Sequence, residues 1–230
     1  MSKIASVILS YEITKGMKSF GPIGLLKSKT NGKELILYQI EGIEKLFKNT
    51  DMFVVSGFGY EKLNKTIPKN TKTILNNEFQ SKSHAYAIKL ILEQYDAEKY
   101  DGVFIINNGT IIKAQIPSKN LSFNHSWVLS KNIKTSQQNS KFLGSVTNEQ
   151  GLVEYIFYNI GQNAWCEGVY WCNKDIKKIM SSINSYYDNM FLFEVINKSI
   201  AQNIKYKEIV LGADEVISIY GMKDKHKIKV

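Results

Sequence analysis

Ile4-Ala5-Ser6-Val7-Ile8-Leu9 opens the chain's pattern, and the segment Ser10 to Thr30 separates it from Leu35 to Phe47, where Leu37, Ile40, Ile43 and Leu46 recur at helical spacing. The first run is almost continuously apolar, as befits a strand in the interior of a sheet covered on both faces. Asp51 to Ser56 supplies a second strand, so the unit reads strand, loop, helix, strand. The order continues with a short strand at Thr73 to Leu75, a helix from His84 to Gln94 through Ala87, Leu90 and Leu92, and a buried strand at Gly102 to Ile106. Such alternation predicts an α/β class: a Rossmann-like, mostly parallel central sheet with helices on both faces.

The second half changes character. Ile111 to Ile116, Trp127 to Leu129, Phe142 to Val146 and Val153 to Tyr158 are short segments between polar turns, suited to antiparallel strands. Asn173 is placed to cap a helix opened by Lys174 to Met180, and Phe191 to Ala201 continues it or forms a second one. Ile209 to Leu211 and Val216 to Ile219 read as late strands, and Lys223 to Val230 as a basic end. No internal repeat or low-complexity linker divides the chain, so residues 1–230 are expected to form one domain.

Composition narrows the chemistry. The chain has 230 residues, 43% of them hydrophobic and 22% charged, which excludes disordered and fibrous classes. Its 30 basic residues are all lysines, and the net charge is +9. Lysines spread along the sequence, with no arginine fork for guanine or phosphate, disfavour nucleic acid as a partner. No window has the length and hydropathy of a membrane span, and residues 1–10 run into a strand without a signal-peptide pattern, so no membrane partner and a cytoplasmic location are expected. Cys166 and Cys172, on one strand face, would lie about 20 Å apart, beyond disulfide reach. They are expected to be buried, reduced thiols.

In open α/β sheets ligands collect at the carboxyl ends of the strands, here after Leu9, Ser56, Leu75 and Ile106. The first of these segments, Ser10 to Thr30, carries Gly16, Gly21 and Gly24 with Lys15, Lys18, Lys27 and Lys29. It reads equally as a phosphate cradle of backbone amides and ammonium groups or as a long flexible loop.

These segments resemble, in order, those of the sugar-phosphate nucleotidyltransferases, including the cytidylyltransferases of surface-polysaccharide and choline pathways. The family opens with a strand and A-A-G-x-G-[ST]-R-M, then P-K-P-L-L and G-K-P-L-I. Val7 to Met17, Pro22-Ile23-Gly24-Leu25-Leu26 and Gly32-Lys33-Glu34-Leu35-Ile36 are similar to these. Tyr38-Gln39-Ile40-Glu41 resembles the start of the first helix, and Phe53 to Lys62, with Gly57, the second strand and its turn. Asn77-Glu78-Phe79 with Ser83 to Ile88 resembles the segment that reaches the nucleotide, Phe104 to Thr110 the strand ending N-G-D, and Glu215 to Asp224 the strand and turn E-I-D-T-P-E-D.

The resemblance implies a nucleotidyltransferase-like fold with a nucleotide or nucleotide-sugar held by Ser10, Tyr11, Glu12, Thr14, Gly57, Ser83, His84, Asn108 and Thr110. The departures bear on activity. Glu12 and Thr14 stand at two glycine positions of the triphosphate loop, Gly16 at its Arg and Ile23 at the Lys of P-K-P, while Thr110 and Tyr220 stand at the two metal-binding aspartates. Neither a hydroxyl nor a phenol replaces a carboxylate for Mg²⁺. Lys15 and Lys27 are the candidate catalytic substitutes; Asp101 precedes its strand and Asp214 suits a turn. His84 is expected to cap or pack the helix start.

Two main readings follow. One is a pseudoenzyme: a degenerate transferase fold, without cofactor, kept for binding a nucleotide, a nucleotide-sugar or a protein partner. The other is an active transferase forming a nucleoside-diphosphate sugar or similar activated alcohol, with Mg²⁺ in an atypical site. A glycosyltransferase of related fold is a third, disfavoured because Asn107 to Thr110 offers no carboxylate pair.

Overall fold

A computed structural model describes residues 2–114, 121–133, 142–183 and 189–228. The first half runs β1 (Ile4–Ser10), α1 (Leu35–Leu46), β2 (Thr50–Ser56), α2 (Tyr60–Thr66), β3 (Lys72–Leu75), α3 (His84–Leu92) and β4 (Gly102–Asn107). All four strands are parallel, in the order β4-β1-β2-β3, with Ile4 level with both Thr50 and Gly102. The apolar run of β1 is thus central, and every one of its seven residues is buried.

Alternate β1 side chains enter opposite cores, as the two-residue period of a strand requires. Ala5, Val7 and Leu9 pack with α3 and two later helices, α4 (Asn173–Ser182) and α5 (Leu192–Ala201). Ile4 and Ile8 pack with α1 and α2 on the other face. Full burial of each such side chain stabilises the fold by about 1.5–3 kcal/mol, so the two faces hold the helices in place.

The second half extends the sheet past β4 with β9 (Asn163–Cys172), β6 (Trp127–Asn132) and β10 (Lys207–Leu211), while β7 (Leu143–Thr147) and β8 (Val153–Tyr158) form a hairpin against β9. β9 runs antiparallel to both β4 and β6. This ten-residue strand, the largest element that the pattern does not single out, reads Asn-Ala-Trp-Cys-Glu-Gly-Val-Tyr-Trp-Cys. A charged residue and a glycine interrupt it, and burial on both faces removes the alternation that marks a strand. Its cysteines are buried free thiols, as expected.

Several expectations need correction. Of Ile111 to Ile116, only β5 (Thr110–Ile112) is a strand among the described residues, and it leaves the main sheet to pair with β11 (Val216–Ser218); residues 115–120 lie outside the described part. Trp127 to Leu129 is antiparallel to β9 but parallel to β10. Asn173 does not cap α4: it is the first helical residue, and its amide donates to Tyr100 O at 2.7 Å and Ala97 O at 3.2 Å. α4 and α5 are separate helices, with residues 184–188 outside the described part. The basic end is not merely a solvated tail, because Met222–Lys227 forms a 3-10 turn that delivers Ile228 into a small third core with Met17, Ile23, Leu26, Leu35, Tyr38, Ile111 and Ile219. That core, together with the bond from Ser28 Oγ to Ile228 O, fastens the segment after β1 to the molecule.

Candidate functional site

The parallel strands end together, and their last residues carry polar groups. Ser10 closes β1 and Tyr11 follows it, Ser56 closes β2, Asn76 follows β3 and Asn108 follows β4. Ser10 Oγ, Tyr11 OH, Ser56 Oγ, Asn76 Nδ2 and Asn108 Oδ1 are buried and have no hydrogen-bond partner among the described residues. Buried polar groups are nearly always paired, and exceptions concentrate where a fold is built for a ligand or a reaction.

Glu12 is the next residue out from β1. Its Oε1 lies 3.1 Å from His84 Nε2 at the first turn of α3. His84 Nδ1 accepts the backbone N–H of Leu192 at 3.0 Å, which assigns the ring proton to Nε2, facing the carboxylate. Burial pushes the Glu12 carboxyl upward, but the His84 ring N–H facing it outweighs that and holds the group below the ordinary glutamate value. Ser83 supports the same junction from its hydroxyl, which donates to Met190 O at 2.6 Å; it does not cap the helix through its side chain.

A second carboxylate faces the same cleft. Glu167 of β9 sits at φ +55°, beside a register shift between β9 and β6 at Leu129/Ser130, and accepts a hydrogen bond from the Asn107 amide. Burial raises its pKa, the Asn107 bond opposes that rise, and the Glu12 charge adds to it. The cleft is walled by Trp165, Tyr158, Phe191 and Phe193. Two carboxyl groups whose surroundings drive their proton affinities apart therefore share one space. Sequence reasoning passed over Glu167, although a lone acid between Cys166 and Gly168 in an apolar strand was the available signal.

On the other side of Glu12 a broader cleft is lined by Ile13, Lys18, Phe58, Phe79 and Gln80, and it continues past Gly57 to Asn76 and Asn77. Gly57 is required there, since a Cβ would come within 2.7 Å of Phe79 Cβ. Lys18, not Lys15 or Lys27, is the loop lysine that lines these clefts. Lys27 pairs with Glu34 at 3.3 Å and lines a separate groove with Met17, Phe20 and Met222. Lys15 is exposed in a turn whose carbonyl adjoins Gly221, and Thr14 O closes the same turn by accepting the N–H of Met17.

The strands β5 and β11 bring positions 110 and 220 to one end of the sheet: Thr110 pairs with Ser218, and Ile219 N donates to Gly109 O. Thr110 is buried and its carbonyl accepts from the Gln39 amide. Tyr220 is exposed, and an ordinary phenol is uncharged at neutral pH, so it offers no anionic oxygen. These two residues do not fit a divalent cation, which needs anionic oxygens. Nearby Asp224 is occupied by Lys227 Nζ at 2.7 Å and the Tyr220 N–H at 2.9 Å.

No protein-family model matches the chain, and no curated protein matches it in sequence. Solved structures do match. The CTP:phosphocholine cytidylyltransferase of Streptococcus pneumoniae superposes with a TM-score of 0.76 over 99% of this chain and 98% of its own, at 16% identity. The fold is that of the sugar-phosphate nucleotidyltransferases. The inositol-1-phosphate CTP transferase of T. maritima shares this nucleotidyltransferase fold at a TM-score of 0.76, 14% identity, and 97% and 92% coverage of the two chains. A nucleoside-diphosphate-sugar pyrophosphorylase of Vibrio cholerae RC9 follows at 0.70, 12% identity, and 97% and 99% coverage. Among the described residues no helix is long and apolar enough to cross a membrane.

Proposed function

We propose that this chain is a catalytically degenerate member of the nucleotidyltransferase fold that binds a nucleotide or nucleotide-sugar at the carboxyl ends of β1 to β4, in the cytoplasm. One observation carries the reading: the position after Tyr11, where the resemblance expects a glycine of the triphosphate loop, holds Glu12 locked to His84. A fixed negative charge there opposes a polyphosphate, while Thr110 and Tyr220 supply no carboxylate for the metal that would offset it. The unpartnered hydroxyls and amides at the strand ends, and the aromatic pair Phe58 and Phe79 with ring centroids 6.5 Å apart, support retained binding of a nucleoside. Solved neighbours are named for CTP, so CTP is the first nucleotide to try.

The test is a thermal-shift series with CTP and UTP, with and without Mg²⁺, beside a pyrophosphate-release assay with sugar phosphates and phosphocholine. Ligand at a hundredfold excess over Kd adds about 2.7 kcal/mol of stability, or roughly 5–10 °C for a chain of this size. The reading expects a shift that is independent of Mg²⁺ and no pyrophosphate. Turnover that requires Mg²⁺ would establish an active transferase instead; no shift with any nucleotide would remove nucleotide binding.

A further inference from the structure

The lysines are spread along the sequence, but the fold gathers part of them on one face. Residues 13–33 contain five lysines and no acid, and residues 216–228 contain three lysines and one acid, Asp224, in a chain of net charge +9. The third core joins these two segments by packing Met17, Ile23 and Leu26 against Ile219 and Ile228, and the Ser28 hydroxyl donates to Ile228 O. A Cβ built on Gly221 would lie 4.0 Å from Lys15 O, so the turn around Lys15 adjoins the start of the final 3-10 turn.

The acids in and bordering these segments are occupied. Asp224 is buried and held by Lys227 and the Tyr220 N–H, Glu12 faces His84, Glu34 pairs with Lys27, and Glu215 accepts the Gly212 N–H. Lys15, Lys18, Lys29, Lys223 and Lys225 have no carboxylate within ion-pair reach among the described residues. Among these lysines the fold leaves apolar side chains in water. Phe20 is 57% exposed, on a turn closed by its own N–H and that of Gly21 to Met17 O, and Met222 is 37% exposed. Both line one groove with Met17, Leu25, Lys27 and Lys225.

We infer that this face docks on an anionic lipid bilayer, with its lysines over the headgroups and Phe20 and Met222 entering the acyl boundary. The expectation of no membrane partner rests on the lack of a spanning segment, which does not bear on contact with a bilayer surface. Such contact needs two attractions in one place: ammonium groups near the charged surface, and apolar side chains that leave water. Each lysine close to an anionic bilayer strengthens partitioning about fivefold, so several unpaired ones on one face suffice to hold the chain there. Charge complementarity selects the occupant. A lysine is a mobile point charge without the planar fork that reads a phosphate or a base, which suits the diffuse field of many headgroups. An exposed methionine beside the phenyl ring gains from hydrocarbon and nothing from a phosphate backbone.

Flotation of the full chain with lipid vesicles tests this. Vesicles containing phosphatidylglycerol should carry the protein and pure phosphatidylcholine vesicles should not, and NaCl raised from about 0.1 to about 0.5 M should release it by screening the lysines. Lys29→Glu with Lys223→Glu, both exposed and outside the clefts around Glu12, should weaken binding to the anionic vesicles about tenfold or more. Lys177→Glu with Lys178→Glu changes the net charge equally on exposed residues of α4, across the sheet from α1, and should weaken it less than about threefold. Phe20→Trp should shift its emission to the blue on anionic vesicles, over a constant background from three buried native tryptophans. No flotation with anionic vesicles, equal capture by phosphatidylcholine, or equal loss in the two charge-reversed variants would each overturn the proposal. Retention on double-stranded DNA with no blue shift of Phe20→Trp on vesicles would also overturn it, and would assign the face to nucleic acid.

Discussion

His84 Nε2 stands 3.1 Å from Glu12 Oε1, and Nδ1 of the same ring accepts the Leu192 N–H, so one buried imidazole ties the segment after β1 to the first turn of α5. Nδ1 is committed to Leu192 and Nε2 faces the Glu12 carboxylate, and the ring also packs edge-on to Tyr11 and Phe191. His84→Ala leaves a cavity and an unsatisfied backbone donor, which together cost about 2–4 kcal/mol. Urea denaturation should show a lower midpoint with an unchanged slope. Glu12→Gln, which keeps a partner for Nε2 and leaves the ring packed, should cost less than about 1 kcal/mol.

Asp51 links the starts of β1 and β2 to the turn before β4. It accepts from Tyr100 OH at 2.7 Å and pairs with Lys99 at 2.7 Å and Lys3 at 3.1 Å. Burial pushes its carboxyl upward, but the bonds from Lys99, Tyr100 and Lys3 prevail and hold it well below the usual aspartate range. Because the folded-state pKa is the lower one, the stabilisation is fully present above the unfolded value of about 3.9 and is lost as pH falls from there toward the folded pKa. Asp51→Asn should therefore lower the urea midpoint at pH 7 and flatten its decline between about pH 4 and pH 2.

Parallel β1, β2 and β4 were legible in the sequence because burial on both faces writes an uninterrupted apolar run, and α1 because its buried face repeats at helical spacing. What was not legible depends on pairing across the chain. Glu167 acquires its place from a register shift on β9 and from Asn107, sixty residues away, and Glu12 acquires His84 from a helix start that only the fold brings near. Lys27 shows the converse: local spacing put it in a lysine-bearing loop, but a short-range pair with Glu34 turns it into another groove. The third core was hidden for the same reason, since Ile228 looks like one apolar residue in a basic tail until Met17 and Ile23 meet it.

Ile228 is fully buried, and its carbonyl accepts the Ser28 hydroxyl at 2.9 Å. Ile228→Ala should cost about 2–4 kcal/mol through the lost methylenes and the cavity they leave. The effect should be regional as well as global: hydrogen exchange should quicken most at the amides of Met17 to Leu26, which this core secures, while those of β1 and β4 change only with global stability. Uniform acceleration across the chain would show that the segment does not depend on this contact.

Cys166 is buried in β9, and burial pushes its thiol up to about 12; Cys172 is also raised by burial and by its bond to Asp175, with the Ser126 hydroxyl opposing that rise. Both are therefore neutral thiols at pH 8, where the nucleophilic thiolate is scarce. A disulfide-exchange reagent at pH 8 should label neither in the native protein within minutes and both in 6 M guanidinium. Rapid native labelling of one cysteine would mean that β9 opens locally.

The charge of Glu12 makes the sharpest demand on the proposed binding site. His84 holds the carboxyl below its ordinary value, so Glu12 stays ionised from about pH 5 upward and mild acid does not relieve its repulsion of a phosphate. A like charge within about 4–6 Å of a partly desolvated phosphate costs about 1 kcal/mol or more. Glu12→Gln removes the charge and keeps the shape, and should tighten CTP binding about five- to tenfold. Glu12→Gly also frees the backbone at the position where the resemblance expects glycine, so it should tighten binding at least as much. Calorimetric titration of both variants at pH 7.5 checks the pair. If the unmodified chain binds CTP and neither variant binds it more tightly, the phosphates lie away from Glu12, and the nucleotide belongs deeper along Phe58 and Phe79, where Lys18 is the nearer cation.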